Sequence, residues 1–278
     1  MPKSYCKINL FLRVNKKLKN KLHNIQTVSF LLNLHDRIEV KKIKKKRDLI
    51  VFKGPFKRLI SKGNNTIAKT LSFLRKKKLI NKNNKYKIII FKNIPVFSGL
   101  GGGTSNAITL LRYFLGKHIN LKTLNSFQKH IGSDLKLFLY NKVIQKNLKS
   151  FNKFRQNSIF YFVLVYPKKK CSTKAIYSKV KNFSFPTRIN YNKASPKKFL
   201  KLIKLEKNDL QNIAISKYNV IGRIINFISI QEGCYISRMT GSGSVCFGMF
   251  KSKKLAIKAK KIIKRHFPNY WCVFARTI

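Results

Sequence analysis

The chain has 278 residues, 44% of them hydrophobic, and 62 lysines and arginines against 7 acids give it a formal net charge of +55. That is enough apolar material for a core and for two domains of ordinary size, while no run reaches the roughly 18 consecutive apolar residues of a membrane span. Five scattered cysteines (Cys6, Cys171, Cys234, Cys246, Cys272), odd in number and without C-x-x-C spacing, argue against a disulfide framework or a zinc site and are expected to be reduced packing residues.

Ile8, Leu10, Leu12 and Val14 alternate with Lys7, Asn9 and Arg13, the period of a strand rather than of a targeting leader, so a cytoplasmic protein is expected. Extended stretches follow through Ile38 to Val40 and from Tyr86 to Phe91. Beyond Pro95 comes a glycine-rich loop, and then Ala107, Ile108, Leu111, Phe114 and Leu115 at helical spacing. A second helix, about Lys122 to Ile131, should stop at Gly132. The Asn-, Lys- and Gln-rich stretch from Asn141 to Asn157 reads as a boundary, dividing the chain into 1–152 and 153–278. The second part gives a strand at Ile159 to Tyr166 and helices at Lys197 to Leu205 and Tyr218 to Ile230. Strands at Tyr235 to Met239 and Val245 to Phe250, a helix around Leu255 and a strand at Trp271 to Ala275 complete it. That order is βαββαβ with one doubled helix, a ferredoxin-like domain. The fold class is therefore α+β, a mixed α/β N-terminal domain followed by a ferredoxin-like one.

Basic residues cluster at Lys41 to Arg47, Arg75 to Lys78 and Lys168 to Lys170, but they also fill nearly every exposed-looking position. Such a spread fits a general Lys/Asn/Ile bias better than one nucleic-acid interface. In Lys251 to His266, for example, Leu255, Ala256, Ala259, Ile262 and Ile263 take one helical face and the lysines the other. Non-specific binding of polyanions at low salt is expected from the charge alone.

Of thirteen glycines, Gly99, Gly101, Gly102 and Gly103 fall within five positions, in S-G-L-G-G-G-T-S-N ahead of a helix. Glycine permits positive φ and removes the Cβ that would keep a ligand away, and a helix N-terminus offers free N–H groups and a positive dipole end to an anion. The loop is thus expected to hold a triphosphate. It has neither the Gly-Lys-Ser/Thr of a Walker loop nor the spacing of a dinucleotide fingerprint.

Phosphoryl transfer to a hydroxyl benefits from a carboxylate that takes its proton. Asp36, Glu39 and Asp48 lie in or beside a lysine-rich extended stretch and are expected to be solvated, while Glu206, Asp209 and Glu232 lie near helix ends, where capping suffices. Asp134 sits between Gly132-Ser133 and the apolar Leu135, Leu137, Phe138, Leu139, where a capping and a catalytic carboxylate fit equally well. Lys7 could stabilise developing negative charge, although most lysines here must be surface residues. The histidines His23, His35, His118, His130 and His266 show no metal-ligand spacing, and no pattern specifies metal ligands or a subunit number.

Six strings, in order along almost the whole chain, resemble the kinase superfamily of galactokinase, homoserine kinase, mevalonate kinase and phosphomevalonate kinase. They are K-I-N-L-F-L (7–12), L-H-N-I-Q-T (22–27), G-L-G-G-G-T-S-N (99–106), I-G-S-D (131–134), N-D-L (208–210) and T-G-S-G (240–243). They are most similar to its 4-diphosphocytidyl-2-C-methylerythritol kinase branch, which belongs to the non-mevalonate isoprenoid pathway. The resemblance implies a two-domain small-molecule kinase that uses ATP with Mg2+ to phosphorylate the 2-hydroxyl of a cytidine-diphosphate-linked polyol. It implies Asp134 and Lys7 as the catalytic pair. It implies ATP binding by Pro95, Val96, Phe97, Ser98, Gly99, Leu100, Gly101, Gly102, Gly103, Thr104 and Ser105. It implies substrate binding by Asn9, Gly241, Ser242 and Gly243, with His23 and Tyr177 at the cytosine. The chain departs from the branch at Asn20, Lys21 and Leu22, where Asp, Gly and Tyr are usual and one side of a base sandwich is lost, at Lys136, near where a proline is usual, and at Val96-Phe97-Ser98, where more glycine is usual. Competing readings are another kinase of the superfamily, acting on homoserine or a mevalonate-type alcohol, and a basic nucleic-acid-binding protein on a kinase-like fold.

Overall fold

A computed structural model describes the whole chain except residues 21, 62, 64, 117, 118, 156 and 157 and the side chain of Leu59. Lys21 and His118 therefore lie outside the described residues. In chain order the elements are β1 (Lys3–Asn9), β2 (Arg13–Lys17), β3 (His23–Ile43), β4 (Leu49–Lys53), α1 (Thr66–Lys76), β5 (Lys85–Phe91), α2 (Gly102–Leu115), α3 (Leu121–Ile131), β6 (Lys142–Gln145) and β7 (Phe151–Lys153). There follow β8 (Tyr161–Tyr166), α4 (Thr173–Tyr177), α5 (Pro196–Leu205), α6 (Gln211–Lys217), α7 (Val220–Ser229), β9 (Cys234–Met239), β10 (Cys246–Phe250), α8 (Lys253–His266) and β11 (Trp271–Arg276). They form two compact units, each drawn from separate stretches: Met1–Cys6, Leu34–Val96 and Gly101–Leu139 in the first, and Lys7–Asn33, Phe97–Leu100 and Tyr140–Ile278 in the second.

In the first unit the later half of β3 pairs antiparallel with β5, from Arg37 opposite Phe91 to Ile43 opposite Lys85, and β4 runs parallel to β5. Asn65 starts α1 by accepting from the Ile67 and Ala68 N–H groups at 3.1 and 3.0 Å. α1 packs on α2 and α3. Ile38, Ile67, Leu71, Ile88, Ile90 and Leu110 close the core beneath them.

In the second unit, β8 to β11 form a four-stranded antiparallel sheet in the order β11-β8-β10-β9. With α7 between β9 and the preceding strand, and α8 between β10 and β11, this is the βαββαβ plan read from the sequence. Ile221, Ile224 and Ile228 of α7 and Ala256, Ala259 and Ile263 of α8 pack with Val163, Val165 and Cys246 in one core, the apolar stripes that helical periodicity demands. The first half of β3 pairs with β2 and β6, and β6 with β7.

The sequence reading placed no element at β4, α1, β7, α4 or α6, and three further stretches differ from it. The opening strand breaks after Asn9, because the Leu10 N–H turns to Val28 O (2.9 Å) and the Leu12 N–H to Lys207 O (3.0 Å). The short stretch around Ile38 to Val40 belongs to a strand of 21 residues whose run from Ile25 to Leu32 is buried throughout, so no alternation advertises it. Part of the stretch read as a boundary forms β6, with all four residues buried. Lys142 is accommodated there because its Nζ lies over the Phe30 and Phe160 rings, 5.6 Å from each centroid, and donates to Ser158 O at 2.5 Å.

Candidate phosphate and substrate site

The glycine loop is shaped by positive φ where glycine alone is comfortable. Gly99 has φ +80°, and a Cβ there would stand 2.2 Å from Thr240 O. Gly101, at φ +70°, caps α2. The first turn of α2 holds no acid, so its N–H groups present an unopposed positive end to an anion. Gly102 is buried against Ile94, with a built Cβ 3.0 Å from Cγ2, whereas Gly103 is exposed and has only the Thr66 side chain within reach, at 3.5 Å. The loop entrance is less yielding. Phe97 takes φ +56° with its ring half exposed, and buried Ser98 accepts from the Val245 N–H through its carbonyl at 3.1 Å. Pro95 is buried, Val96 and Thr104 are half-buried, and Leu100 accepts from the Lys7 N–H at 3.0 Å. Ser105 turns inward: its hydroxyl donates to Tyr5 O at 2.6 Å and accepts from the Ser4 hydroxyl at 2.8 Å.

Behind the first turns of α2 lies a buried polar network absent from the sequence reading. Asp36, fully buried, pairs with Lys92 and accepts from the Asn93 N–H (2.7 Å), the Ile94 N–H (2.9 Å) and Asn106 Nδ2 (3.0 Å). Asn106 also donates to the Ser4 hydroxyl at 2.8 Å and accepts from Lys92 Nζ at 3.0 Å. Burial pushes the Lys92 ammonium down from its ordinary value, and Asp36 opposes that shift. Asp134 lies in the same unit, half-buried in the 3₁₀ segment Ser133–Phe138 that follows Gly132, with Leu135, Leu137 and Phe138 anchored in the core.

The second unit gathers Lys7, Asn9, Gly241 and Ser242. Lys7 is 2% exposed and donates to Asn9 Oδ1. Asn9 is held by its own N–H on Thr240 Oγ1 (2.9 Å) and by Nδ2 on Thr27 Oγ1 (3.0 Å), and Thr27 donates to Phe11 O at 2.5 Å. A Cβ on Gly241 would come within 3.0 Å of Lys7 Nζ and 3.3 Å of Asn9 Oδ1, so glycine is what lets this turn close over them. Asn208 fixes the turn through Met239 O (2.8 Å) and Gly241 O (2.9 Å). Gly243 donates to Thr240 O at 3.0 Å, and Ser242 shares a 3.0 Å hydroxyl contact with Thr173.

His23 stands 5.0 Å from the Tyr177 ring, tilted by 35°. Burial, with help from Lys17, lowers the His23 pKa, so the imidazole is neutral near pH 7 and offers one donor and one acceptor. Beside it Leu22 is 44% exposed. A cavity of about 620 Å³ in this unit runs along 179–184 and 204–213; none of the residues proposed from the sequence lines it, but Phe183 does.

The acids correct the sequence reading. Asp36 is not solvated, and Asp48 forms a two-pronged pair with Arg75 at 2.6 and 2.8 Å. Glu206 does more than end a helix: it is buried, receives Arg13 Nε at 2.7 Å and Nη2 at 3.2 Å, and accepts from the Tyr191 hydroxyl at 2.6 Å. Asp209 accepts from the Val14 N–H at 2.7 Å. The cysteines behave as packing residues: none forms a disulfide and four of the five are buried, and burial pushes the Cys171 and Cys272 thiols up to about 11. Among the described residues no group of three or more His, Cys, Asp or Glu could hold a metal ion, and no helix is long and apolar enough to cross a membrane.

The glycine-rich loop ahead of α2, the ferredoxin-like half and two family models, for the GHMP kinase N-terminal domain over 65–137 and the GHMP kinase C-terminal domain over 192–269, mark the chain as a small-molecule kinase, a phosphotransferase that uses ATP with an alcohol as acceptor. A 4-diphosphocytidyl-2-C-methyl-D-erythritol kinase of Pelagibacter ubique is 40% identical over 281 residues, covering 99% of this chain and 98% of the relative. One from the Wolbachia of Brugia malayi is 34% identical, covering 99% of each. The crystal structure of a 4-(cytidine 5'-diphospho)-2C-methyl-D-erythritol kinase superposes with a TM-score of 0.74 at 19% identity, covering 99% of this chain and 98% of that one, which speaks for the fold. The chain belongs to the family of 4-diphosphocytidyl-2-C-methyl-D-erythritol kinases.

Proposed function

We propose that the chain transfers the γ-phosphoryl group of ATP to the 2-hydroxyl of 4-diphosphocytidyl-2-C-methyl-D-erythritol, in the non-mevalonate route to isoprenoid precursors. The observation that carries this reading is that one unit holds both a buried lysine, Lys7 beside Asn9 under the Gly241 turn, and a neutral histidine beside an aromatic ring, His23 and Tyr177. The first suits a polyol hydroxyl gaining negative charge. The second suits a pyrimidine, with a ring face for stacking and an imidazole edge for hydrogen bonds.

In this reading Pro95 to Ser105 hold the nucleotide, with the first turn of α2 facing the phosphates. Asp134 accepts the hydroxyl proton, and Lys7 stabilises the charge that develops. Asn9 and Gly241 to Gly243 orient the polyol. Magnesium bound together with the ATP phosphates would supply charge neutralisation during transfer. We keep the division into 1–152 and 153–278 as two functional domains, supported by family matches that end before it and begin after it. The cytoplasm is the proposed location, in keeping with cysteines that form no disulfide, and loose polyanion binding at low salt is a side effect of the charge.

Asp134→Asn is the test of the mechanism. General-base action is worth about 10² to 10⁴-fold, so the variant should lose that much turnover while binding ATP as the parent does. Near-normal turnover would refute the assignment.

A further inference from the structure

Phe183 is an aromatic residue whose environment is built with care while its ring is left uncovered. The ring is 43% exposed, and its centroid lies 6.4 Å from His23, tilted by 32°. An exposed ring on a mobile loop would carry no argument, but the backbone around it is tied down. The next residue, Ser184, donates its N–H to Val14 O at 2.9 Å and accepts from Asn15 Nδ2 at 2.9 Å. Phe185 O accepts from Arg13 Nη1 at 3.0 Å, and Arg13 is itself held by the buried carboxylate of Glu206. Thr187 exchanges two hydrogen bonds with the Gln26 amide, at 2.8 and 3.1 Å. Five hydrogen bonds to β2 and β3 thus fix the strap 184–187 on the strands that carry or flank His23, and the strap starts where Phe183 meets that histidine.

Two rings, Tyr177 from the end of α4 and Phe183 from the strap, are therefore presented to one imidazole. Neighbouring Leu22 supplies an aliphatic surface without a π-face. Stacking tolerates any planar base, whereas the imidazole edge can select among them by donor and acceptor pattern. We propose that Phe183 is a specificity-determining residue, the second aromatic wall of the pyrimidine site, doing with Tyr177 the stacking that Leu22 cannot do. The Arg13–Glu206 pair acts through the strap as a positioning element. This rests on the reading of the substrate as a cytidine-linked polyol.

The test uses the full chain and cytidine 5'-diphosphate as probe, titrated calorimetrically into the parent, Phe183→Leu, Phe183→Tyr and Tyr177→Leu, with the KM for ATP measured in parallel. Removing a base-stacking ring typically weakens binding by roughly 5- to 150-fold. Phe183→Leu should show a loss in that range, Phe183→Tyr should bind within about twofold of the parent, and the KM for ATP should not move. If the parent binds the probe and Phe183→Leu binds it equally well, the assignment of Phe183 is overturned while the proposed substrate stands. If losses for probe and ATP run together, the ring only supports the fold, which overturns it as well. A parent that neither binds the probe nor phosphorylates the cytidine-linked substrate overturns the substrate reading and the wall with it.

Discussion

Replacing Asp36 with alanine should be among the most damaging single changes in the first unit. The carboxylate is fully buried and accepts from four donors: Lys92, the Asn106 amide and the backbone N–H groups of Asn93 and Ile94. Alanine takes an acceptor from all four and leaves the Lys92 ammonium, itself 3% exposed, without its counter-ion and with Asn106 Oδ1 as its remaining acceptor. Breaking a buried pair from one side costs about 3 to 5 kcal/mol. At roughly 2 to 4 °C per kcal/mol for a chain of this size, the melting midpoint should fall by about 6 to 20 °C in a circular-dichroism melt. Asn106 and Ser105 share this network and sit in the first turns of α2, so the KM for ATP should rise in whatever fraction stays folded. The double change Asp36→Asn with Lys92→Met removes both charges and should recover at least half of the loss. A single alanine variant that melts within about 2 °C of the parent would refute the argument that this pair secures the helix.

Gly99→Ala puts a Cβ 2.2 Å from Thr240 O at a residue with φ +80°. It should cost at least about 1 to 3 kcal/mol in backbone strain and lower kcat/KM for ATP tenfold or more, whereas Gly103→Ala, whose Cβ meets nothing closer than 3.5 Å, should leave the melting midpoint within a degree or two; equal midpoints for the two variants would contradict this. The lowered pKa of His23 means that the folded imidazole stays neutral through the ordinary value near 6.5. Cytidine-diphosphate affinity should thus be flat from pH 8 through 6.5 and fall only below that. The unfolded chain takes the proton first, so this histidine adds no pH dependence to stability above about 6.5 and destabilises the fold as pH drops from there towards its folded value. An affinity inflection at or above 6.5 in a calorimetric pH series would show that His23 is not shifted as described.

What the sequence conveyed, it conveyed through local signals. Four glycines in five positions ahead of an amphipathic stretch defined the loop and α2, and apolar stripes at helical spacing defined α7 and α8 with the antiparallel strands beside them. What it withheld depends on contacts distant along the chain. Asp36 looked solvated because lysines surround it in sequence, yet its partner Lys92 is 56 residues away; Glu206 meets Arg13 across 193 residues. The run from Ile25 to Leu32 is buried on both faces of its strand, which erases the alternation that would have marked it. Composition marked 141–157 as a boundary because Asn, Lys and Gln crowd it, although Lys142 and Gln145 are buried in β6 and the Lys142 ammonium lies over two aromatic rings. Phe183 carried no signal at all, since only the strap that pins it places it beside His23.

The most direct test of the central claim is a coupled ADP-release assay with magnesium-ATP on the purified chain, comparing 4-diphosphocytidyl-2-C-methyl-D-erythritol with homoserine and mevalonate. The account predicts turnover with the cytidine-linked substrate at a kcat/KM at least a hundredfold above either alternative. Turnover of homoserine or mevalonate at equal or greater efficiency, or none with the cytidine-linked substrate, would contradict it.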